Sequence, residues 1–258
     1  MRQGDVTWWG LAASLVLVAV AVVLSVRLRL RLERDMVTAT ARALVQLLLV
    51  GVALRVIIDP DQPLLWSWLW VAGMVVFAAG TVRRRAPEVP SVLPLALLSV
   101  AVTAVVSLGV IFGFGIFPVE GRTIVPLAGM MIGNSMKDTV VAARRIVGEL
   151  ADKRPEVEAR LALGQPWQAA SRPYLRSALR TAMVSQVETT KAVGLVFLPG
   201  AMTGLILAGV DPVDAVLVQA AVMYLILGSV ATTVTVMGVG LTRRLFTTDH
   251  RLVRLARA

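Results

Sequence analysis

The chain has 258 residues, 57% of them apolar and only 16% charged, with a mean hydropathy of +0.78 and a formal net charge of +10. So little polar surface cannot cover a water-soluble core of this size, and the absence of cysteine excludes disulfides, thiolate metal sites and cysteine nucleophiles. Apolar runs near twenty residues recur, the length a helix needs to cross ~30 Å of hydrocarbon. They are continuous, unlike the short alternating strands of a membrane barrel. The expected fold is all-α: a single polytopic bundle of about seven transmembrane helices filling the chain.

The first span is expected at Trp8–Val26. Its charges, Arg27, Arg29, Arg31 and Arg34, follow it, the wrong side for a signal peptide, so it reads as a retained helix. Further spans are expected near Thr40–Ile58, Leu64–Val82, Val92–Phe114, Ile124–Ala143, Leu179–Leu207 and Val213–Leu241. The fifth contains Lys137 and Asp138, and is expected to leave the bilayer early and continue as a cytosolic helix.

Basic residues sort by loop. They follow the first and third spans, fill the stretch from Lys137 to Arg180, and recur in the tail around the single histidine, His250. The opposite loops hold Asp59, Asp61, Glu120, Arg122 and Asp211. The positive-inside rule then places the N-terminus outside and the C-terminus in the cytosol, as a multi-pass protein of the bacterial inner membrane. The basic balance reads as topology with anionic lipid contact, and no nucleic-acid role is expected.

The one large polar stretch lies between the fifth and sixth spans, as a cytosolic hairpin at about 144–177. Ile146, Val147 and Leu150, then Val157 and Leu161, recur at helical spacing. Glu156 to Leu163 forms a short amphipathic helix, Gly164 suits its stop, and Pro166 suits the first turn of the next helix. Pro173 is expected to break the chain before it re-enters the membrane. Leu161, Leu163 and Trp167 are expected to be exposed. The hairpin could lie at the headgroup level, with Trp167 as an interfacial anchor, or dock a cytosolic partner.

Glu158-Ala159, Gly164 six residues after the glutamate, and Pro166-Trp167-Gln168 resemble the EAA loop of ABC-transporter permeases, with Arg160 where a second alanine is usual. Further stretches extend the likeness: Arg42-Ala-Leu-Val-Gln46, Pro126 to Met136, Lys191 to Gly204, and Gly209 to Ala215. In this order, over nearly the whole chain, they resemble the Fet-type permease family, linked to iron export in bacteria and aluminium tolerance in plants. The resemblance implies a permease homodimer working with a separate cytosolic ATP-binding subunit, which docks on Glu158, Ala159, Gly164, Pro166 and Trp167. None of the three lysines follows a glycine, so no Walker A phosphate cradle exists here. This chain is expected to bind no cofactor of its own; ATP and Mg belong to the partner.

Ionisable groups in hydrocarbon are costly, which makes them functional candidates. Glu188 and Lys191, at i and i+3 in the sixth span, can neutralise each other as a structural pair or line a translocation path. Arg42 and Gln46 lie one turn apart in the second span; Glu188 is a candidate partner for Arg42. Asn134 can serve the path or tie helices together. Pro199, Gly200 and Gly204 interrupt the sixth span as a hinge or a packed kink. For a metal cargo, Glu188 is the oxygen donor, while Met130 and Met131 offer thioethers to a soft ion or simply fill the core.

The expected function is therefore an ABC-transporter permease that exports a metal ion, iron by resemblance. A proton-coupled secondary transporter using Glu188, or a non-transporting membrane scaffold, is the alternative. No His-Glu-x-x-His or Gly-x-Ser-x-Gly occurs and no span holds a histidine, so an enzyme is not expected.

Overall fold

The computed structural model describes residues 8–57, 59, 62–195, 198–247, 249 and 251–253. Ile58, Asp61, His250, Arg254 and Arg257 lie outside the described residues. Those described form nine helices: α1 (Trp8–Arg27), α2 (Glu33–Ile57), α3 (Leu64–Arg85), α4 (Val92–Gly113), α5 (Gly121–Asp152), α6 (Arg154–Ala162), α7 (Trp167–Ala192), α8 (Gly200–Leu207) and α9 (Pro212–Arg244). Among them α1, α2, α3, α4 and α9 are long and apolar enough to cross a membrane. The protein is an all-helical, multi-pass membrane protein with five such helices among the described residues, where the sequence suggested about seven.

The chain divides into two units, one holding α1 and α2 and the other beginning at Pro63. In the first, the turn between α1 and α2 is held by Ser25, which is buried. Its hydroxyl donates to Glu33 Oε1 at 3.0 Å and accepts from the Leu32 N–H at 3.2 Å. α2 starts at Glu33, well before the apolar run, because Glu33 and Asp35 in its first turn complement the helix dipole. No α2 residue is buried, and leucines and valines project from both helices, a surface suited to hydrocarbon.

The second unit is built on α3, α4, α5, α7 and α9, with α5 and α9 packed at its centre. One end of its core joins Val82 of α3, Val92 of α4, Ile146 and Leu150 of α5, Tyr174 of α7 and Leu241 of α9. The basic segments Arg83–Arg85, Arg144–Arg145 and Arg243–Arg244 thus gather at the same end of the unit. Farther along, Met131 of α5, Leu108 of α4 and Val230 of α9 continue the core. Hydroxyls cross-link the helices there: Thr233 Oγ1 lies 2.7 Å from Thr103 Oγ1, and Ser135 Oγ lies 3.4 Å from Ser229 Oγ. Such pairs matter in a membrane bundle, where the hydrophobic effect does not drive helices together.

Two expectations change. Pro173 does not break the chain; it sits inside α7. Its missing N–H removes the bond an α-helix would make to the Ala169 carbonyl, and Ala169 is exposed, where water can substitute. The sixth span is not one helix either. α7 ends at Ala192, Gly194 takes a left-handed φ of 86°, and a new helix begins at Gly200. Glycine tolerates that backbone where other residues are strained.

Candidate functional site

The hairpin is anchored below and open above. α6 follows α5 directly, with Lys153 serving as C-cap of one and N-cap of the other. Val157 is 0% exposed and inserts into the basic-end core, where Leu161 also packs. α6 then closes with a Schellman turn: the Gly164 N–H bonds to the Leu161 carbonyl at 2.9 Å and the Gln165 N–H to the Arg160 carbonyl at 3.1 Å. Gly164 takes φ 83° to make it. Glu158, Ala159, Gly164 and Pro166 are exposed, and Leu163 is 82% exposed at the tip.

Trp167 and Leu161 depart from the expected exposure. Trp167 is half-buried, its ring stacked on Phe246 at 5.7 Å between centroids with 25° between planes. It therefore braces the hairpin from beneath. The segment after α9 completes the brace, with Phe246 and Leu252 bridged and both buried. Arg154 reaches across from α6, donating to the carbonyls of Leu252 at 3.1 Å and Val253 at 3.2 Å, and to Glu158 at 2.6 Å.

Charges lock the same corner. Lys153 Nζ donates to Glu156 at 2.9 Å, and the Tyr174 hydroxyl donates to the other oxygen of that carboxylate at 3.0 Å. The Lys153 bond, then that of Tyr174, holds the Glu156 carboxyl below its ordinary pKa, and Glu156 in return raises Lys153. Burial first, then donation to Glu156, pushes Tyr174 up. In the α3–α4 loop, Glu88 is lowered by a bond from its own backbone and by Arg144, which donates to it at 2.6 Å.

Of the intramembrane candidates, Glu188 and Lys191 do pair, at 2.9 Å, with side chains 62% and 67% exposed on one face of α7. Arg42 and Gln46 are exposed on α2, in the other unit. Met131 is fully buried in the core and Met130 packs against it. Pro199 and Gly200 stand at the α7–α8 break, while Gly204 lies inside α8. Among the described residues no three His, Cys, Asp or Glu side chains gather as a metal site.

The structure adds residues that spacing alone did not single out. Asn134 faces a cleft of about 370 Å³ between α5 and α7, together with Asp138, Ser185 and Gln186. Asn134 and Asp138 lie one turn apart, as do Thr181, Ser185 and Thr189, a polar repeat that could have marked these faces in the sequence. Gln219, 4% exposed on α9, accepts from the Met202 N–H at 3.3 Å and so satisfies a free donor at the start of α8.

Residues 8–246 match the model of an uncharacterised protein family, UPF0014. The chain is 32% identical to the UPF0014 membrane protein YjkA of Bacillus subtilis, over 81% of this chain and 83% of that one. It is 37% identical to the UPF0014 membrane protein STAR2 of Oryza sativa, over 72% of this chain and 65% of that one. It is 32% identical to a protein of Escherichia coli named "Probable iron export permease protein FetB", over 81% of this chain and 80% of that one. No solved structure matches. The chain belongs to the UPF0014 family.

Proposed function

We propose that this chain is the membrane permease of a transporter that exports a metal cation, driven by a separate cytosolic ATPase. The observation that carries the reading is the hairpin: an exposed tip of Ala159, Leu163, Gly164 and Pro166 on a base wedged into the bundle by Val157, Trp167 and Arg154. A merely interfacial anchor would present its tryptophan to the headgroups; here Trp167 faces the protein and the small-residue tip is left uncovered. The likeness to the E. coli protein named as an iron export permease supports the cargo class.

The basic end of the larger unit faces the cytosol, by the positive-inside rule, in the bacterial inner membrane. Two copies of the chain assemble. The exposed Glu188–Lys191 pair supports this: in the sixth span expected from the sequence, uncovered charges are costly and a second subunit or an aqueous path relieves them. ATP and Mg act on the partner, whose closure pushes the hairpin; α5 and α7, which flank it, tilt and alternate the access of the cargo path.

The test substitutes the exposed tip. Full-length chain is reconstituted in nanodiscs with the cytosolic ATPase from its own genome, and ATP hydrolysis is measured with wild type and Leu163→Asp. Leu163 makes no core contact, so insertion should be unchanged while permease-stimulated hydrolysis falls at least tenfold. Undiminished stimulation by Leu163→Asp would remove the docking role.

A further inference from the structure

We infer that the cleft between α5 and α7 is a cation site built from oxygen donors, which takes a hard, partly hydrated divalent ion. Its role as the cargo site rests on the permease reading; the binding itself does not.

The lining sets the chemistry. Asn134, Lys137 and Asp138 of α5 face Thr181, Ser185, Gln186 and Thr189 of α7. Several of these groups have already spent their protons. Thr181 and Thr189 donate to carbonyls one turn back, at 3.0 and 2.8 Å, and the Asn134 amide nitrogen donates to the Met130 carbonyl at 2.8 Å. What the two hydroxyls turn to the cleft is lone pairs, and Asn134 keeps its amide carbonyl and a second N–H for it. Gln186 is 7% exposed, yet its side-chain amide meets no hydrogen-bond partner among the described residues and opens into the cleft. The amide atoms are open to the cleft rather than sealed in the core, so the cleft is where they find a partner, water or a bound ion.

Asp138 supplies the one carboxylate of the lining, and it too lacks a hydrogen bond or ion pair among the described residues. Lys137 also lines the cleft, its residue exposed, and is the charge next to Asp138, so an entering cation must displace its ammonium from beside the carboxylate. A carboxylate with neutral oxygens suits hard cations, whereas soft ions select sulfur. No methionine lines the cleft. An ion with six waters, at ~30 Å³ each, occupies roughly 180 Å³, so the 370 Å³ cleft admits one that keeps part of its shell. A single carboxylate also makes binding exchangeable, since affinity in such sites follows the number of charged ligands. A transported ion must leave as well as enter.

The probe is Mn²⁺, titrated into full-length chain in nanodiscs and read by electron paramagnetic resonance as loss of the aquo-ion signal. Wild type should bind one ion per chain, Asp138→Asn at least tenfold more weakly, and Gln186→Leu also more weakly, with Met130→Leu unchanged. Because the chain has no cysteine, a nitroxide on Val141→Cys, at the cleft wall, provides a test independent of Asp138. Mn²⁺ should broaden its spectrum and leave a label on Leu163→Cys sharp. Absence of saturable binding, equal binding by Asp138→Asn, or equal broadening of both labels would overturn the site. If binding fails while Leu163→Asp still uncouples the ATPase, the site falls alone; if binding holds while Leu163→Asp changes nothing, the permease reading falls alone.

Discussion

Gly164 offers the sharpest test of how the hairpin is built. Its φ of 83° closes the Schellman turn, and a Cβ placed there would meet no atom within 4 Å. Replacing it with alanine therefore introduces no clash, and the whole cost is conformational. A left-handed backbone costs an L-residue roughly 1–2 kcal/mol. At about 1.4 kcal/mol per factor of ten, local opening of α6 should become roughly 5- to 30-fold more frequent. Hydrogen exchange of the α6 amides, measured by mass spectrometry on full-length chain in nanodiscs, reads this directly. Gly164→Asn is the control, because asparagine tolerates the left-handed region better and should lose less protection. The protection of α9 should not move in either variant. Unchanged α6 exchange in Gly164→Ala, or equal loss in both variants, would refute the claim that backbone conformation holds this turn.

Other sites extend the reasoning. A Cβ on Gly238 of α9 would lie 2.6 Å from Leu179 and 3.2 Å from Leu175 of α7; Gly238→Ala should cost about 1–3 kcal/mol by overpacking, seen as a lower Tm in detergent. Leu252→Ala removes a buried side chain from the tail beneath Trp167 and should cost about 2 kcal/mol, exposing α6 amides to exchange without unfolding the bundle. The Lys153–Glu156–Tyr174 corner gives a signed pH dependence. Glu156 is lowered from 4.5, so its contribution is complete above that value and is lost as pH falls through the depressed pKa. Lys153 is raised from 10.5, so its contribution is complete below that value and lost as pH rises above it. Protection of α6 should thus be flat between these limits, and Glu156→Gln should abolish the acid limb.

Continuous apolar runs made α1, α3, α4 and α9 legible almost to their ends, because a helix in hydrocarbon is specified by length and hydropathy alone. Helical spacing likewise marked Ile146, Val147 and Leu150 as part of a helix, and only the structure shows that all three are buried on α5. The sixth span misled for the same reason. Hydropathy stays high from Val193 to Leu207; Pro199 and Gly200 marked the interruption, but the helix ends earlier, at Ala192, where an extended Val193 and the left-handed Gly194 need no polar residue to announce them. Trp167 was unreadable in another way. Its stacking partner, Phe246, is distant in sequence, and no local pattern distinguishes an aromatic ring that meets lipid from one that meets the chain's own tail. The cleft was half legible: Asn134 was a candidate from its polarity, but Gln186 becomes informative only once its burial and lack of a partner are known.

Hairpin and cleft share two helices, and the numbers of residues between them set the reach of each. Asp138 lies fourteen residues before the end of α5 at Asp152, and Thr181 lies fourteen residues after the start of α7 at Trp167. At 1.5 Å per residue each arm is about 21 Å long. The two walls of the cleft are thus the two helices entering and leaving the hairpin, at equal reach from it. Between them Ser177 donates to Glu149 at 3.3 Å, a contact that ties the two helices on the hairpin side of the cleft. A push on α6 that spreads or closes α5 against α7 must change the width of the cleft. Fixing that width should therefore be felt at the hairpin. Val141→Cys with Ser185→Cys places one thiol on each wall, and a short bifunctional maleimide should join them. Cross-linking is expected to suppress permease-stimulated ATP hydrolysis at least tenfold, while either single variant treated alike keeps its rate. Full stimulation after complete cross-linking would mean that hairpin and cleft move independently, and the lever would be lost.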